Sequence, residues 1–266
     1  NVQGVYPPGS IFKLVTAYAA LDQQLIEPSH EETCNGYFYV KGRRAPFKCW
    51  KSGGHGPADL IESIRGSCNI YFYQLAMEMG VDKLAHYAKM MMFGEKLDLV
   101  FAGEKAGLIP DSDWKRTTFN ERWYPGETPS VAIGQGFVSV TPLQLANFVN
   151  LIASGGVWHP PKLLQDQAES PTQAILDQRI VAPLLQGMVA VVNDPNGGTA
   201  KVAKIEGFTV AGKTGTAQII SHETRKNLTK EEKELRKFQN HAWFAGFAPA
   251  EAVSYTHLTL PTSDLV

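Results

Sequence analysis

The first sustained apolar run, Ile11-Phe12-Lys13-Leu14-Val15-Thr16-Ala17-Tyr18-Ala19-Ala20-Leu21, follows a stretch punctuated by Pro7, Pro8 and Gly9 and stops at Asp22-Gln23-Gln24. Two prolines and a glycine exclude helix before Ser10, so the pattern predicts a buried helix that begins at Ser10, a residue type suited to helix N-termini. Glu27 to Trp50 has no sustained period and reads as irregular chain; Lys51-Ser52-Gly53-Gly54-His55-Gly56-Pro57 reads as a turn-rich loop. Asp59 is placed to cap a helix over about Leu60 to Arg65. Ile70 to Met79 predicts a helix stopped by Gly80, and Val81 to Phe93 an amphipathic helix in which Met90, Met91 and Met92 serve as core filler. Leu97 to Pro129 predicts a long loop-rich insert, whose Trp114, Trp123 and Tyr124 either wall a cleft or pack. Thr141 and Pro142 read as the cap and first residue of a helix running to Ser154, before Gly155-Gly156. Another helix is expected over about Arg179 to Val192, and a short one from Thr199. Phe208 to Gln218 has strand character, with His241 to Pro249 as its antiparallel partner. The charge-dense Ser221 to Gln239 between them reads as a solvated loop or exposed helix.

With 266 residues, 44% of them hydrophobic, the chain has ample material for a core. Lys and Arg (25) balance Asp and Glu (26), which argues against a nucleic-acid partner. No apolar run approaches the roughly 18 residues of a membrane span, and no signal peptide opens the sequence. Both ends read as cut. The final residues, 254–266, resemble the translated adapter tail of partial genes assembled from environmental DNA, with a native strand and loop as the alternative. They are set aside, leaving residues 1–253 as one domain.

The chemistry starts at Ser10 and Lys13. Three residues apart on a helix, they share a face, and a lysine whose pKa is depressed by burial or by a second cation can take the proton from a serine nucleophile. This S-x-x-K pattern is weak alone, since a helix cap and a surface lysine would produce it too. Its strength comes from Ser67-Cys68-Asn69 and Lys213-Thr214-Gly215-Thr216, which follow in that order.

Together with Gly134-Gln135-Gly136, Thr141-Pro142-Leu143-Gln144 and Gly212 through Gln218, these motifs resemble the transpeptidase domain of class B penicillin-binding proteins over essentially residues 1–253. Tyr71 to Ala76 and His241 to Gly246 look most like the cell-elongation branch, the penicillin-binding protein 2 group. The resemblance implies an α/β (α+β) serine β-lactamase/D,D-peptidase-like fold, with an antiparallel sheet flanked by helices and a mostly helical subdomain. It also implies a peptidoglycan D,D-transpeptidase, with carboxypeptidase as a side reaction, that needs no cofactor for catalysis and is captured by β-lactams. Ser10 would attack the penultimate D-Ala of a peptidoglycan stem peptide with Lys13 as base. Ser67 and Asn69 would relay the leaving-group proton and hold the substrate amide. Lys213, Thr214 and Thr216 would bind the substrate carboxylate, and Gly215 would leave room for substrate along the strand. The amides of Ser10 and Thr216 would form the oxyanion hole. By the same resemblance the protein would act at the outer face of the bacterial inner membrane, in the periplasm, anchored by an N-terminal helix absent from this sequence. It would work there beside a shape- and elongation-type glycan polymerase. Strands before the serine helix and after Phe244 would be lacking, so these residues alone are expected to be poorly stable. The rivals are a β-lactamase, which would need a deacylating glutamate of the E-x-x-L-N type that is not found, and a non-catalytic penicillin-sensing module.

Cys34, Cys49 and Cys68 are the only cysteines, and His55 lies among them. Three cysteines cannot all pair within one chain. In the oxidising compartment that the resemblance implies, a Cys34–Cys49 disulfide would leave one thiol over. A structural Zn²⁺ held by Cys34, Cys49, His55 and Cys68 accounts for all four residues, with unliganded thiols as the third alternative.

Overall fold

The computed structural model describes residues 2–99, 103–162, 171–217, 229, 240–251 and, as backbone, 255–259. Its centre is helix α1 (Lys13–Asp22), where Leu14, Val15, Ala17, Ala19 and Ala20 are all fully buried. A helix apolar on every side belongs inside a protein, and further helices pack around α1. The predicted cap at Ser10 is not observed. Ser10 lies inside a 3₁₀ turn, Gly9–Ile11, and Pro8, Phe12 and α1 have no side-chain cap there. The chain enters this turn a residue early because Gly9 takes φ +57, a left-handed conformation open to glycine. Long-range bonds pin the turn: Gly9 N–H donates to Gly134 O at 3.0 Å, Tyr6 N–H to Val140 O at 2.9 Å, and Trp243 Nε1–H to Pro7 O at 3.1 Å.

The stretch expected to be irregular contains short strands. β1 (Glu32–Cys34) pairs with β4 (Gly56–Ala58), and β2 (Tyr37–Phe38) with β3 (Phe47–Lys48), both antiparallel. Strands of two or three residues hold too few positions for alternation to be seen. Helix α2 (Leu60–Arg65) is capped as expected by Asp59, in a reciprocal box with Glu62. α3 (Asn69–Met79) follows, and α4 (Val81–Met90) ends before the predicted Phe93 because Met92 turns back at φ +66.

The insert holds two helices that were not expected, α5 (Ser112–Phe119) and α6 (Thr128–Ala132). Its aromatic residues pack: Trp114 meets Phe119 and Phe137. Trp123 and Tyr124 stand 5.8 and 4.8 Å from the buried Lys115 ammonium, which also bonds Glu127. α7 (Pro142–Ala153) carries the expected Thr141 cap, reciprocated by Gln144. β5 (Val157–Trp158) pairs with β6 (Gln173–Ala174), and α8 (Gln178–Asn193) precedes a single 3₁₀ turn at Lys201–Ala203 in place of the short helix.

β7 (Ala211–Ala217) and β8 (His241–Ala248) form the predicted antiparallel pair, in register from Ala211 opposite Phe247 to Ala217 opposite His241. β9 (Tyr255–Thr259) gives the order β7-β8-β9, with β7 at an edge among the described residues. Residues set aside in the sequence thus supply a strand through their backbone. Of the charge-dense 221–239, all but residue 229 lie outside the described residues. Among the described residues no helix is long and apolar enough to cross a membrane.

Candidate active site

Three elements far apart in sequence bring the motif residues together. Lys13, on the first turn of α1, donates to Ser67 O at 2.8 Å, to Ser67 Oγ at 3.1 Å and to Asn69 Oδ1 at 2.7 Å. Lys213, on edge strand β7, reaches Ser67 Oγ at 3.0 Å from the other side. Both lysines are fully buried. Burial lowers the pKa of the Lys13 amine to about 7, with the neighbouring cysteine sulfurs acting in the opposite direction. Lys213 is lowered well below the usual lysine range, by burial first and by the Lys13 charge second. A buried lysine near neutrality can both hold and release a proton at physiological pH, which a general base requires. Ser67 is held at φ +53, a conformation that costs a non-glycine residue of the order of 1–3 kcal/mol, and its carbonyl is thereby turned to Lys13.

Ser10 sits one turn before Lys13, but among the described hydrogen bonds none joins Ser10 Oγ to Lys13 Nζ. The amine is instead occupied by Ser67 and Asn69. Thr214 Oγ1 is 2.9 Å from Thr199 Oγ1, and Thr216 is exposed on β7. Gln135 Nε2 donates to Thr216 O at 3.0 Å, and Trp50 Nε1 to Ser67 O at 3.0 Å, so both position catalytic-motif backbone. Sequence reasoning assigned neither a role; the place of Gln135 between two glycines was the available signal.

Gly215 is also constrained by packing. A Cβ there would lie 2.8 Å from Pro8 O and 3.3 Å from Ile11 Cγ1, so this glycine admits the Ser10 turn against the strand, on the buried side. Gly134 does similar work from the other direction. Its φ is +66, and a Cβ would stand 2.4 Å from Gly9 O. Gly134→Ala is therefore expected to cost about 3 kcal/mol from left-handed strain and overpacking. A fall in melting temperature on the order of 10 °C would be its signature; an unchanged transition would show that the turn tolerates the shift.

Beside the Ser67 loop, the sulfurs of Cys34, Cys49 and Cys68 and a ring nitrogen of His55 lie within 4.8 Å of one another. His55 Nδ1 is 3.4 Å from Cys49 Sγ and 3.7 Å from Cys34 Sγ. Its Nε2 is 3.1 Å from Gly66 O; a carbonyl only accepts, so Nε2 carries the proton and the Nδ1 lone pair faces the sulfurs. The Cys49 thiol is lowered, chiefly by a hydrogen bond from Cys68, and the Cys68 thiol is raised by the same contact. All three cysteines are free thiols, with no Cys34–Cys49 bridge. The separations suit a tetrahedral zinc site, where Zn–S bonds of about 2.3 Å put sulfurs about 3.8 Å apart.

Residues 1–262 match the family model for the penicillin-binding protein transpeptidase domain. The chain is 35% identical over 263 residues to the peptidoglycan D,D-transpeptidase MrdA of Haemophilus influenzae, covering 93% of this chain and 40% of that protein. It is 30% identical to the Escherichia coli K12 protein of the same name, with 93% and 41% covered. The chain thus spans about 40% of the length of these curated relatives. Among solved structures, PBP2 from Pseudomonas aeruginosa in complex with WCK 5153 superposes with a TM-score of 0.84 at 32% identity, over 99% of this chain and 57% of that one. PBP2 in complex with MreC from Helicobacter pylori gives 0.85 at 31%, over 97% and 46%.

Proposed function

The chain belongs to the penicillin-binding protein transpeptidase-domain family, and on that premise we propose that it is a peptidoglycan D,D-transpeptidase of cell-wall elongation acting through a Ser10 acyl-enzyme. The observation that carries this reading is the convergence of two buried amines, Lys13 and Lys213, on the single hydroxyl of Ser67. Neutral Lys13 takes the Ser10 proton as Ser10 Oγ attacks the penultimate D-Ala carbonyl. Ser67, bonded to both lysines, passes a proton to the departing D-Ala amine, and the same relay later accepts one from the incoming stem amine. Asn69 accepts from Lys13 through Oδ1 and would hold the substrate amide. Thr214 and Thr216 bind the terminal carboxylate, with Lys213 adding positive charge. A Cβ on Gly9 would lie 2.8 Å from Thr216 O, so the Ser10 turn packs closely on this strand, and the amides of Ser10 and Thr216 would form the oxyanion hole. β-Lactams enter the same pathway and stop at the acyl-enzyme.

Zinc held by Cys34, Cys49, His55 and Cys68 would be structural, since four protein ligands leave no open position, and it would add fixed positive charge beside the Ser67 loop. By likeness to the MrdA relatives the domain works at the periplasmic face of the inner membrane. Its expected partner there is a glycan polymerase.

The test is acylation by benzylpenicillin, followed by intact mass. A slowly lost adduct supports the transpeptidase; rapid drug turnover would mean a β-lactamase, and no adduct on a folded protein a binding module. Because the base must be neutral and its folded pKa is about 7, the acylation rate constant is expected to rise about tenfold from pH 6 to pH 8 and then level off. A flat profile over that range would remove Lys13 as the base.

A further inference from the structure

Between Glu32 and Asp59 the sequence holds five cations, Lys41, Arg43, Arg44, Lys48 and Lys51, and no carboxylate, in a chain whose total charge is only -1. All five are exposed, and among the described residues none forms an ion pair. They lie on the β2–β3 hairpin and the chain just after it, with three exposed rings: Tyr39 (73%), Trp50 (60%) and Tyr37 (47%). Arg43 stacks on Phe47 at 3.9 Å and Lys48 lies 5.8 Å from Tyr37, so part of the charge is held in place on the hairpin surface.

This arm is fastened to the catalytic loop. Asn69 Nδ2 donates to Lys48 O at 3.1 Å, and Trp50 Nε1 donates to both Gly66 O (3.1 Å) and Ser67 O (3.0 Å). Ser67 thus has the basic arm on one side and β7 on the other, where Lys213 reaches its hydroxyl. A two-substrate reaction needs two approaches. The donor stem takes the β7 edge, and the second stem must bring its amine to the Ser67 relay. Uncross-linked stems present several carboxylates, from the free α-carboxyl of γ-linked D-Glu and from the peptide C-terminus, and the attached sugars offer apolar faces to aromatic rings.

Resting on the transpeptidase reading, we propose that residues 37–51 are the docking surface for the acceptor stem peptide, with the five cations binding its carboxylates. Charge complementarity at an exposed surface raises encounter and fixes register more than it tightens binding, so the interaction should weaken as salt rises.

The test is equilibrium binding of a soluble disaccharide-tetrapeptide, which lacks the terminal D-Ala a donor needs. It is titrated into full-length Ser10→Ala protein with and without Lys41→Glu and Arg44→Glu, and the same ligand with its carboxylates amidated is run alongside. The charge reversals are expected to weaken the carboxylate ligand about tenfold and the amidated one less than about twofold, with an unchanged thermal transition. Equal effects on both ligands, or none, would overturn the proposal. So would charge reversals that abolish binding to phosphatidylglycerol vesicles while leaving tetrapeptide binding intact, which would assign the arm to a lipid surface. Failure of the Ser10 protein to take up benzylpenicillin would instead sink the transpeptidase reading, a separate measurement that leaves this binding result standing.

Discussion

Replacing Ser10 with alanine is expected, on the proposed acyl-enzyme reading, to abolish the benzylpenicillin adduct in intact-mass measurements and to lower transpeptidation by about 10⁶-fold, the loss seen when a serine nucleophile is removed from a working site. The loss is large because no neighbouring group can replace the attacking oxygen. Lys13 is committed to Ser67 and Asn69, and the Ser67 hydroxyl is engaged by two buried lysines. The fold should be spared. Ser10 lies in a turn pinned by the backbone of Gly9 and Pro7, and no described hydrogen bond depends on its hydroxyl. The thermal transition of Ser10→Ala should therefore match the parent. An adduct retained in the variant would place the nucleophile elsewhere and remove the assignment.

Cys49→Ser is expected to reduce bound zinc from about one ion per chain to a small fraction and to lower the melting temperature by about 10 °C or more, since binding energy at a structural zinc site is folding energy. Cys49 is the most connected of the four residues. Its sulfur lies 3.4 Å from His55 Nδ1 and accepts the Asn69 N–H at 3.4 Å, so its loss reaches the catalytic loop directly. Chelation of the parent protein should reproduce the thermal shift, and added zinc should reverse it. Equal zinc content in parent and variant would leave the cluster as a set of buried thiols.

Much of this was written locally. Asp59, and Thr141 followed by Pro142, announced two helices, because a cap acts within the first turn; the structure adds Glu62 and Gln144 as their reciprocal partners. The β7–β8 pair was legible because seven consecutive rungs impose strand character on both segments. The insert helices α5 and α6 and the four short strands near the cysteine and histidine cluster were not. Each is too brief for a period to emerge and is held by contacts such as Lys115 with Glu127.

At the site, the sequence alone determined which groups are present: a serine and lysine on one helical turn, a second serine with an asparagine, a strand lysine, and three cysteines with a histidine. Only the tertiary structure decided how they meet. It turned Lys13 toward Ser67 and Asn69, more than fifty positions away, in place of Ser10. It packed Gly215 against the Ser10 turn, drew Gln135 to Thr216, and set a basic hairpin against the Ser67 loop. The physical reason is range. Capping and periodicity act over three or four residues and can be read along a chain, whereas a buried amine finds its partners, and its lowered pKa, only when separate elements close over it and exclude water.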